Sequence, residues 1–270
     1  MNLVDLLFVG ITALGSEGFY LLAFPMVYWC VDPELGFQLC CGFLSSAWAN
    51  AALKSLFRVP RPPLEKVRLP QLHLAEGWSF PSGHAQGSAC FWGYISLKSA
   101  HRRLMSVVGV VTVALVSFSR VYLGVHWPVD VVAGALLGYG WALATARLFA
   151  SGQAVRTIWL FVPLLLFALF SDPQGAAASG ALQGIAVGHW AQTNLVKMNP
   201  RGTMPQRFLR YVLGIGLMAL TLFGLKLLLP DTPGFRFLRY AGVALGATFV
   251  APWLFVKVGL ACGRGPNCGE

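Results

Sequence analysis

The chain has 270 residues, of which 56% are hydrophobic and only 11% are charged, and its mean hydropathy is +0.65. Soluble domains usually carry about 25% charged residues, so this composition excludes an ordinary soluble protein and predicts an integral membrane protein built from helices. The net charge of +10 does not indicate nucleic-acid binding. The Lys and Arg residues stand singly at the ends of apolar segments, and no basic run with interleaved aromatic residues is present.

The apolar segments predict an all-α fold, a polytopic helical bundle with about nine transmembrane helices. Residues 3–14 are interpreted as a short interfacial helix or a partial insertion. The candidate spans that follow are residues 17–31, 34–57, 82–99, 104–122, 128–150, 155–171, 173–196, 207–229 and 235–260. The segment 173–196 is rich in Ala and Gly and predicts a tightly packed internal helix or a re-entrant segment. We expect two domains, a core over residues 1–150 and additional C-terminal helices over 151–270.

The distribution of Lys and Arg predicts the orientation of this bundle. With nine spans, eleven of these residues lie on the face that holds the C-terminus and nine lie on the opposite face. Three of those nine are candidate site residues, namely Lys54, Arg61 and Arg120. Because cytoplasmic loops carry the excess of positive charge, we expect the site on the extracytoplasmic face of a bacterial-type inner membrane.

The first polar cluster runs from Lys54 to Arg61, at the end of the second predicted span. Pro60 and Pro62 end any helix there, so Arg61 is expected in an extended stretch at the membrane surface. An ammonium group and a guanidinium fork can bind phosphate oxygens together. The alternative is a basic patch that meets the phosphates of surrounding lipids.

The second cluster, Pro81, Ser82, Gly83 and His84, opens the third span. Pro and Ser are favoured at helix starts, and Gly83 lets an anion approach the backbone amides at the positive end of the helix. His84 is a candidate general acid, because histidine titrates near neutral pH. A capped helix that carries an incidental histidine is the alternative.

The third cluster contains Arg120, His126 and Asp130. Arg120 ends an uncharged run of sixteen residues, where a fixed cation is costly and therefore indicates function. Asp130 lies four residues after His126, in the predicted first turn of a helix. At this spacing its carboxylate can accept the protonated imidazole nitrogen and leave the other nitrogen free to attack. An ordinary Asp at a helix start beside a histidine is the alternative.

In order, spacing and flanking residues, the clusters resemble the signature motifs of the type 2 phosphatidic acid phosphatase and vanadium haloperoxidase superfamily. The match is Lys-x6-Arg-Pro, Pro-Ser-Gly-His and Ser-Arg-x5-His-x3-Asp, and it covers roughly residues 50–140. The resemblance implies that His126 takes the phosphoryl group and that Asp130 orients it. It implies that His84 protonates the leaving oxygen and then activates water. The residues implied to bind phosphate are Lys54, Arg61, Ser82, Gly83 and Arg120.

These motifs predict a metal-independent membrane phosphatase that hydrolyses a lipid phosphate or a polyprenyl diphosphate through a phosphohistidine intermediate. Three positive charges can balance a phosphate, and the sequence offers no carboxylate cluster for Mg²⁺, so neither a metal nor another cofactor is expected. The expected partners are the lipid substrate and membrane lipids, without nucleic acid. The oligomeric state is left open.

Other functions are compatible with the same motifs. Nine spans, with about 120 residues after the core, resemble the glucose-6-phosphatase branch, but that branch lacks an acid at the position of Asp130. The alternatives are therefore a phosphatase of a small polar phosphomonoester, a lipid phosphotransferase and a non-catalytic phospholipid-binding or transport protein. A haloperoxidase is disfavoured because those enzymes are soluble. The connection 59–80 is expected to influence headgroup choice through Lys66, Arg68, His73, Glu76 and Trp78.

Overall fold

The computed structural model describes residues 3–68, 77–152 and 157–263. Within these ranges the secondary structure is helical, apart from one isolated antiparallel bridge between Asn199 and Cys262. The α-helices are α1 (Leu3–Ala13), α2 (Glu17–Cys30), α3 (Pro33–Phe57), α4 (Gly83–Lys98), α5 (Arg102–Tyr122), α6 (Pro128–Ala150), α7 (Val162–Leu169), α8 (Pro173–Ala191), α9 (Met204–Leu228), α10 (Pro233–Leu245) and α11 (Ala251–Lys257). A 3₁₀ turn covers Leu64–Lys66, and π-helical turns cover Gln192–Val196 and Gly246–Val250.

The described helices provide four or five candidate membrane spans, so the predicted count of about nine is not confirmed. By length and composition the four are α5, α6, α9 and the continuous segment Pro233–Lys257, and α1 with α2 can form a fifth. Three predicted spans contain short helices, since α2 has 14 residues, α4 has 16 and α7 has 8. A helix needs about 20 residues to cross the hydrocarbon core. The apolar helices nevertheless make this an integral membrane protein.

The chain divides into two compact units. One consists of residues 1–20 and 46–150, and the other consists of residues 21–45 and 151–270. All residues of the three polar clusters belong to the first unit. The expected division into domains at residue 150 stays a prediction.

In the first unit, α4 packs against both α5 and α6. The approach of α4 to α6 is very close, because a Cβ atom added at Gly138 would lie 2.2 Å from the carbonyl oxygen of Gln86. Small residues allow helix backbones to approach in this way. The contact brings the starts of the two helices together, and the Ser82 amide donates to the Asp130 carbonyl oxygen at 3.0 Å.

Helix α1 packs on α5 in the same unit. The Phe8 and Tyr122 ring centroids are 4.2 Å apart, and the Tyr122 hydroxyl donates to Asp5 Oδ1 at 3.1 Å. The Arg68 guanidinium lies 3.9 Å from the same carboxylate oxygen. Residues 3–13 are therefore attached to the unit that carries the polar clusters.

In the second unit, α8 packs closely against α10. A Cβ atom at Gly180 would lie 2.2 Å from the Phe237 carbonyl oxygen, and one at Gly184 would lie 2.1 Å from that of Ala241. Most of the Ala and Gly residues of α8 are buried. The structure thus has a closely packed helix where the sequence allowed either such a helix or a re-entrant segment.

Candidate active site

The side chains of the three polar clusters meet at one end of the first unit. Lys54 lies in the last turn of α3 and Arg120 in the last turn of α5, whereas Ser82 precedes α4 and Asp130 lies in the first turn of α6. Electrostatic interactions connect His84 with Arg120, His126, Arg61 and Lys54. Every residue that the sequence assigned to the site is therefore in one neighbourhood.

The centre of the site is a buried pair of His126 and Asp130, which are 3% and 0% exposed. Nδ1 of His126 lies 3.2 Å from Oδ2 of Asp130. The same oxygen accepts the Trp127 amide at 2.8 Å. The pairing follows from the local sequence. Pro128 is well suited to the first position of a helix and begins α6, so Asp130 lies about one turn after His126.

The hydrogen bonds of His126 determine its tautomer. Nε2 lies 3.1 Å from NH1 of Arg61, and arginine can only donate, so Nε2 carries the lone pair. The proton is then on Nδ1, which faces the Asp130 carboxylate. Burial lowers the pKa of His126 to about 4, and the hydrogen bond to Asp130 opposes this shift, while the charges of Arg61, Arg120 and Lys54 add to it. At neutral pH the imidazole is uncharged, which is the form that a nucleophile requires.

The cations are positioned by neutral oxygen atoms. Lys54 Nζ donates to the carbonyl oxygens of Trp78 at 2.6 Å and Ser79 at 3.3 Å. Arg61 donates through Nε to the Gly77 carbonyl at 2.9 Å and through NH1 to the Val125 carbonyl at 2.7 Å. These acceptors fix the direction of each side chain without cancelling its charge.

Arg120 is the most deeply placed of the three cations, at 2% exposure. Its NH1 donates to the hydroxyl of Thr12 at 3.2 Å. Thr12 belongs to α1 and is itself buried, so the N-terminal helix contributes to the surroundings of a site cation. The sequence offered no indication of this contact, because Thr12 is more than one hundred residues away along the chain.

The start of α4 offers a place for an anion. Ser82 is fully buried, and none of the described residues hydrogen-bonds to its hydroxyl. A buried hydroxyl without a partner is costly, so an oxygen of a bound ligand would satisfy it. Gly83 is exposed and His84 is half-buried, which leaves the first amides and the imidazole accessible. Asn50 of α3 steadies this turn by donating to the Pro81 carbonyl at 3.3 Å.

Ser79 is a site residue that the sequence reasoning missed. It is fully buried, and its hydroxyl donates to Asp130 Oδ2 while lying 3.3 Å from His126 Nδ1. A single serine in a loop carries no periodic or spacing signal, so only the proximity of the residues that follow, Pro81 to His84, could have drawn attention to it.

The connection that was expected to influence headgroup choice is described only in part, because His73 and Glu76 lie outside the described residues. Lys66 Nζ lies 5.5 Å from the centroid of the Trp127 ring, next to the site. Arg68 instead stacks on Tyr122, 4.2 Å from the ring centroid. Within residues 3–68, 77–152 and 157–263, no group of three or more His, Cys, Asp or Glu side chains could hold a metal ion.

Comparison with known protein families finds two matching models in this chain. The PAP2 superfamily model matches residues 35–154. The model of the PAP2 superfamily phosphatase transmembrane extension matches residues 176–263. The first of these ranges contains all the residues assigned to the site, and the two together include well over half of the chain.

Several curated proteins are similar to the chain. A probable sphingosine-1-phosphate phosphatase of Dictyostelium discoideum is 31% identical over 183 residues, which are 62% of this chain and 45% of that protein. Sphingosine-1-phosphate phosphatase 1 of Rattus norvegicus is 25% identical over 93% of this chain and 71% of its own length. An undecaprenyl-diphosphatase of Sulfolobus acidocaldarius is 40% identical over 28% of this chain and 35% of its own. The chain thus spans less than half of the Dictyostelium relative.

Among solved structures, a transmembrane PAP2 type phosphatidylglycerolphosphate phosphatase from Bacillus subtilis is similar. It is 24% identical with a TM-score of 0.47, over 57% of this chain and 80% of the other.

Proposed function

The chain belongs to the PAP2 superfamily, and on that premise we propose that it is a membrane phosphatase that hydrolyses a lipid phosphate or a polyprenyl diphosphate. The observation that carries the proposal is the buried His126–Asp130 pair, 3.2 Å apart, with the Arg61 guanidinium at the free imidazole nitrogen. The names of the relatives support a lipid substrate, since sphingosine phosphate and undecaprenyl diphosphate both carry phosphate on a long apolar group.

The first step would transfer the phosphoryl group to the enzyme. The lone pair on Nε2 of His126 attacks phosphorus, a P–N bond forms, and the bond from phosphorus to the lipid oxygen breaks. The leaving oxygen takes a proton from the imidazole of His84. Burial and the neighbouring cations lower the pKa of His84 to about 2 in the ligand-free site, so this proton would be bound together with the phosphate, whose negative charge raises the pKa. Asp130 stabilises the positive charge that develops on the His126 ring, because its carboxylate faces the Nδ1 proton.

The second step would release phosphate. His84, now neutral, removes a proton from water, and the water oxygen attacks phosphorus as the P–N bond breaks. The electron pair returns to Nε2, so His126 regains its starting form. Throughout, Lys54, Arg61 and Arg120 stabilise the equatorial oxygens of the phosphoryl group. The unpartnered hydroxyl of Ser82 supports a further hydrogen bond to one of these oxygens.

Arg61 has to change its partner when the substrate binds. In the ligand-free site its NH1 donates to the same nitrogen that would attack, at 3.1 Å. A phosphate oxygen is a charged acceptor and forms a stronger bond with a guanidinium than a neutral imidazole does. Substrate binding would therefore transfer Arg61 to the phosphate and free the lone pair of His126.

Hydrolysis is favoured over phosphotransfer to another lipid by the exposure of His84. Its side chain is half-buried rather than fully enclosed, so water can reach the group that would activate it.

The membrane face on which the site lies is also part of the proposal. With the nine spans predicted from the sequence, the larger number of Lys and Arg residues on the C-terminal face supports a site on the extracytoplasmic side of a bacterial-type membrane.

The test is a phosphate-release panel on purified protein in detergent with EDTA present. The substrates are phosphatidic acid, phosphatidylglycerol phosphate, undecaprenyl diphosphate, sphingosine phosphate and glucose 6-phosphate. We expect release from at least one lipid substrate and a loss of at least about 1,000-fold in His126→Ala. His101→Ala is the matched control, because His101 is an exposed histidine at the start of α5. Full activity in His126→Ala, or complete loss on chelation, would contradict the proposal.

A further inference from the structure

Ser79 lies where the three polar clusters meet. Its carbonyl oxygen accepts from Lys54 Nζ at 3.3 Å, and its amide donates to the Val59 carbonyl at 2.8 Å. Two residues earlier, the Gly77 carbonyl accepts from Arg61 Nε at 2.9 Å. The first cluster thus holds the backbone that carries Ser79, and the second cluster begins two residues after it at Pro81.

The Ser79 side chain completes this arrangement by reaching the third cluster. Its hydroxyl donates to Oδ2 of Asp130, and its oxygen lies 3.3 Å from Nδ1 of His126. The Nδ1 proton therefore faces two oxygens, since Asp130 Oδ2 is 3.2 Å away. The same carboxylate oxygen accepts the Trp127 amide, so three donors converge on one atom.

This contact differs from the ordinary hydrogen bonds of buried serines. Ser45, Ser96 and Ser179 each donate to the carbonyl oxygen one turn earlier in their own helix, a local bond that satisfies the hydroxyl at little cost. Ser79 instead donates its hydroxyl proton to the carboxylate of Asp130, which lies 51 residues further along the chain. Such a hydrogen bond restricts the orientation of the Asp130 carboxylate as well as that of the Ser79 hydroxyl.

We propose that Ser79 is a positioning residue for the reaction proposed above, on which this inference rests, and that it holds the Asp130 carboxylate and the Nδ1 proton of His126 so that Nε2 points at phosphorus. Donation from Ser79 fixes the rotation of the Asp130 carboxylate. The Ser79 oxygen offers the Nδ1 proton a second acceptor as the ring becomes positively charged. Neither contact reaches the substrate.

The first readout is kinetic and compares Ser79→Ala with Ser79→Cys. Cysteine fills nearly the same space as serine but is a weak donor, so it separates packing from hydrogen bonding. We expect both variants to lose roughly 10- to 100-fold in kcat, with KM little changed, because the lost interaction acts in the transition state. Ser88→Ala is the control. Ser88 is also fully buried in the same unit, but its hydroxyl accepts from Tyr20.

The second readout is the pH profile of kcat/KM. Without the Ser79 hydroxyl, the Nδ1 proton loses an acceptor at 3.3 Å, which lowers the pKa of His126, and the Asp130 carboxylate loses a donor, which raises it. The second effect is the larger, because a hydrogen bond to a charged carboxylate is stronger than a long contact with a neutral oxygen. The pKa of His126 should then rise from about 4 toward its ordinary value, and the acid limb of the profile should move to higher pH. In Ser88→Ala the limb should stay in place. The charged or titratable groups that face His126 are Asp130, Arg61, Arg120, Lys54 and His84.

A double-mutant cycle and a titration complete the test. In an Asp130→Asn background, Ser79→Ala should cause little further loss, since residues that act as one unit are not additive. The His126 imidazole can also be titrated by NMR in wild type and Ser79→Ala, with its signal assigned by its absence in His126→Ala. Wild-type kcat or an unmoved titration in folded Ser79→Ala, or wild-type kcat in Ser79→Cys, would overturn the inference. A wild type without phosphate release would overturn the proposed function alone, because the titration needs no turnover.

Discussion

Replacing Gly138 with Ala should force α6 away from α4. The added Cβ atom would lie 2.2 Å from the Gln86 carbonyl oxygen, 2.8 Å from Ala89 Cβ and 2.9 Å from the Cys90 amide nitrogen. Two of these three atoms belong to the backbone of a helix and cannot rotate away. Because an ordinary carbon contact begins near 3.4 Å, the two helices must separate by about 1 Å.

Two opposing contributions determine how much Gly138→Ala changes the free energy of unfolding. Ala stabilises a helix by about 1 kcal/mol relative to Gly, whereas overpacking a well-packed interface costs about 1–3 kcal/mol. We expect a net loss of up to about 2 kcal/mol in the free energy of unfolding. The effect on activity should be larger, because α4 carries Ser82 and His84 while α6 carries Asp130. Misplacement by about 1 Å can reduce kcat by roughly 100-fold.

The assay measures thermal unfolding in detergent together with phosphate release. Gly140→Ala is the matched control, because Gly140 lies on the same helix and a Cβ there meets nothing within 4 Å. Gly134→Ala should be intermediate, since its Cβ would lie 2.6 Å from the Ser82 carbonyl oxygen. A Gly138→Ala protein that melts no lower than Gly140→Ala and keeps wild-type kcat would refute this reasoning.

Three further predictions concern the site itself. Ser82→Ala should lower kcat/KM by about 10- to 100-fold without lowering the melting temperature, because no described residue hydrogen-bonds to the hydroxyl. A lower melting temperature with intact activity would contradict this prediction. The pH profile of kcat/KM should fall as the pH drops through about 4, where His126 becomes protonated, and Arg61→Gln should move that limb upward by removing a facing cation. Gly124→Ala should lower both kcat and the melting temperature relative to Gly140→Ala. Gly124 has φ +73° and its Cβ would lie 2.0 Å from the Lys66 carbonyl oxygen; unchanged values would show that the loop before His126 tolerates the displacement.

The contacts that the sequence predicted best are local ones. His126 and Asp130 are four residues apart on either side of a helix start, so their pairing follows from helix geometry. The roles assigned to these residues, and to His84 and the cations, remain predictions that the experiments above test. The helix at 173–196 was also predictable as one of two possibilities, because its Ala and Gly content allows close packing.

The predicted count of about nine spans is not confirmed, because the described helices provide four or five candidate spans. Hydropathy identifies apolar segments, but it does not measure the length of helix that the fold forms from each one. The segments at 82–99 and 155–171 contain helices of only 16 and 8 residues within the described part of the chain. The number of crossings therefore could not be derived from apolar content alone.

The amino-acid sequence by itself determined the membrane class and the helical fold, because these follow from composition and from apolar runs. Its assignment of the site residues, made from their spacing within one or two helical turns, stays a prediction. Only the tertiary structure decided which distant groups surround the His126–Asp130 pair. Ser79, Thr12 and Asn50 contact the site from other segments. Contacts of this kind depend on how closely α4, α5 and α6 approach one another. That approach depends on the shapes of packed surfaces, which no local pattern records.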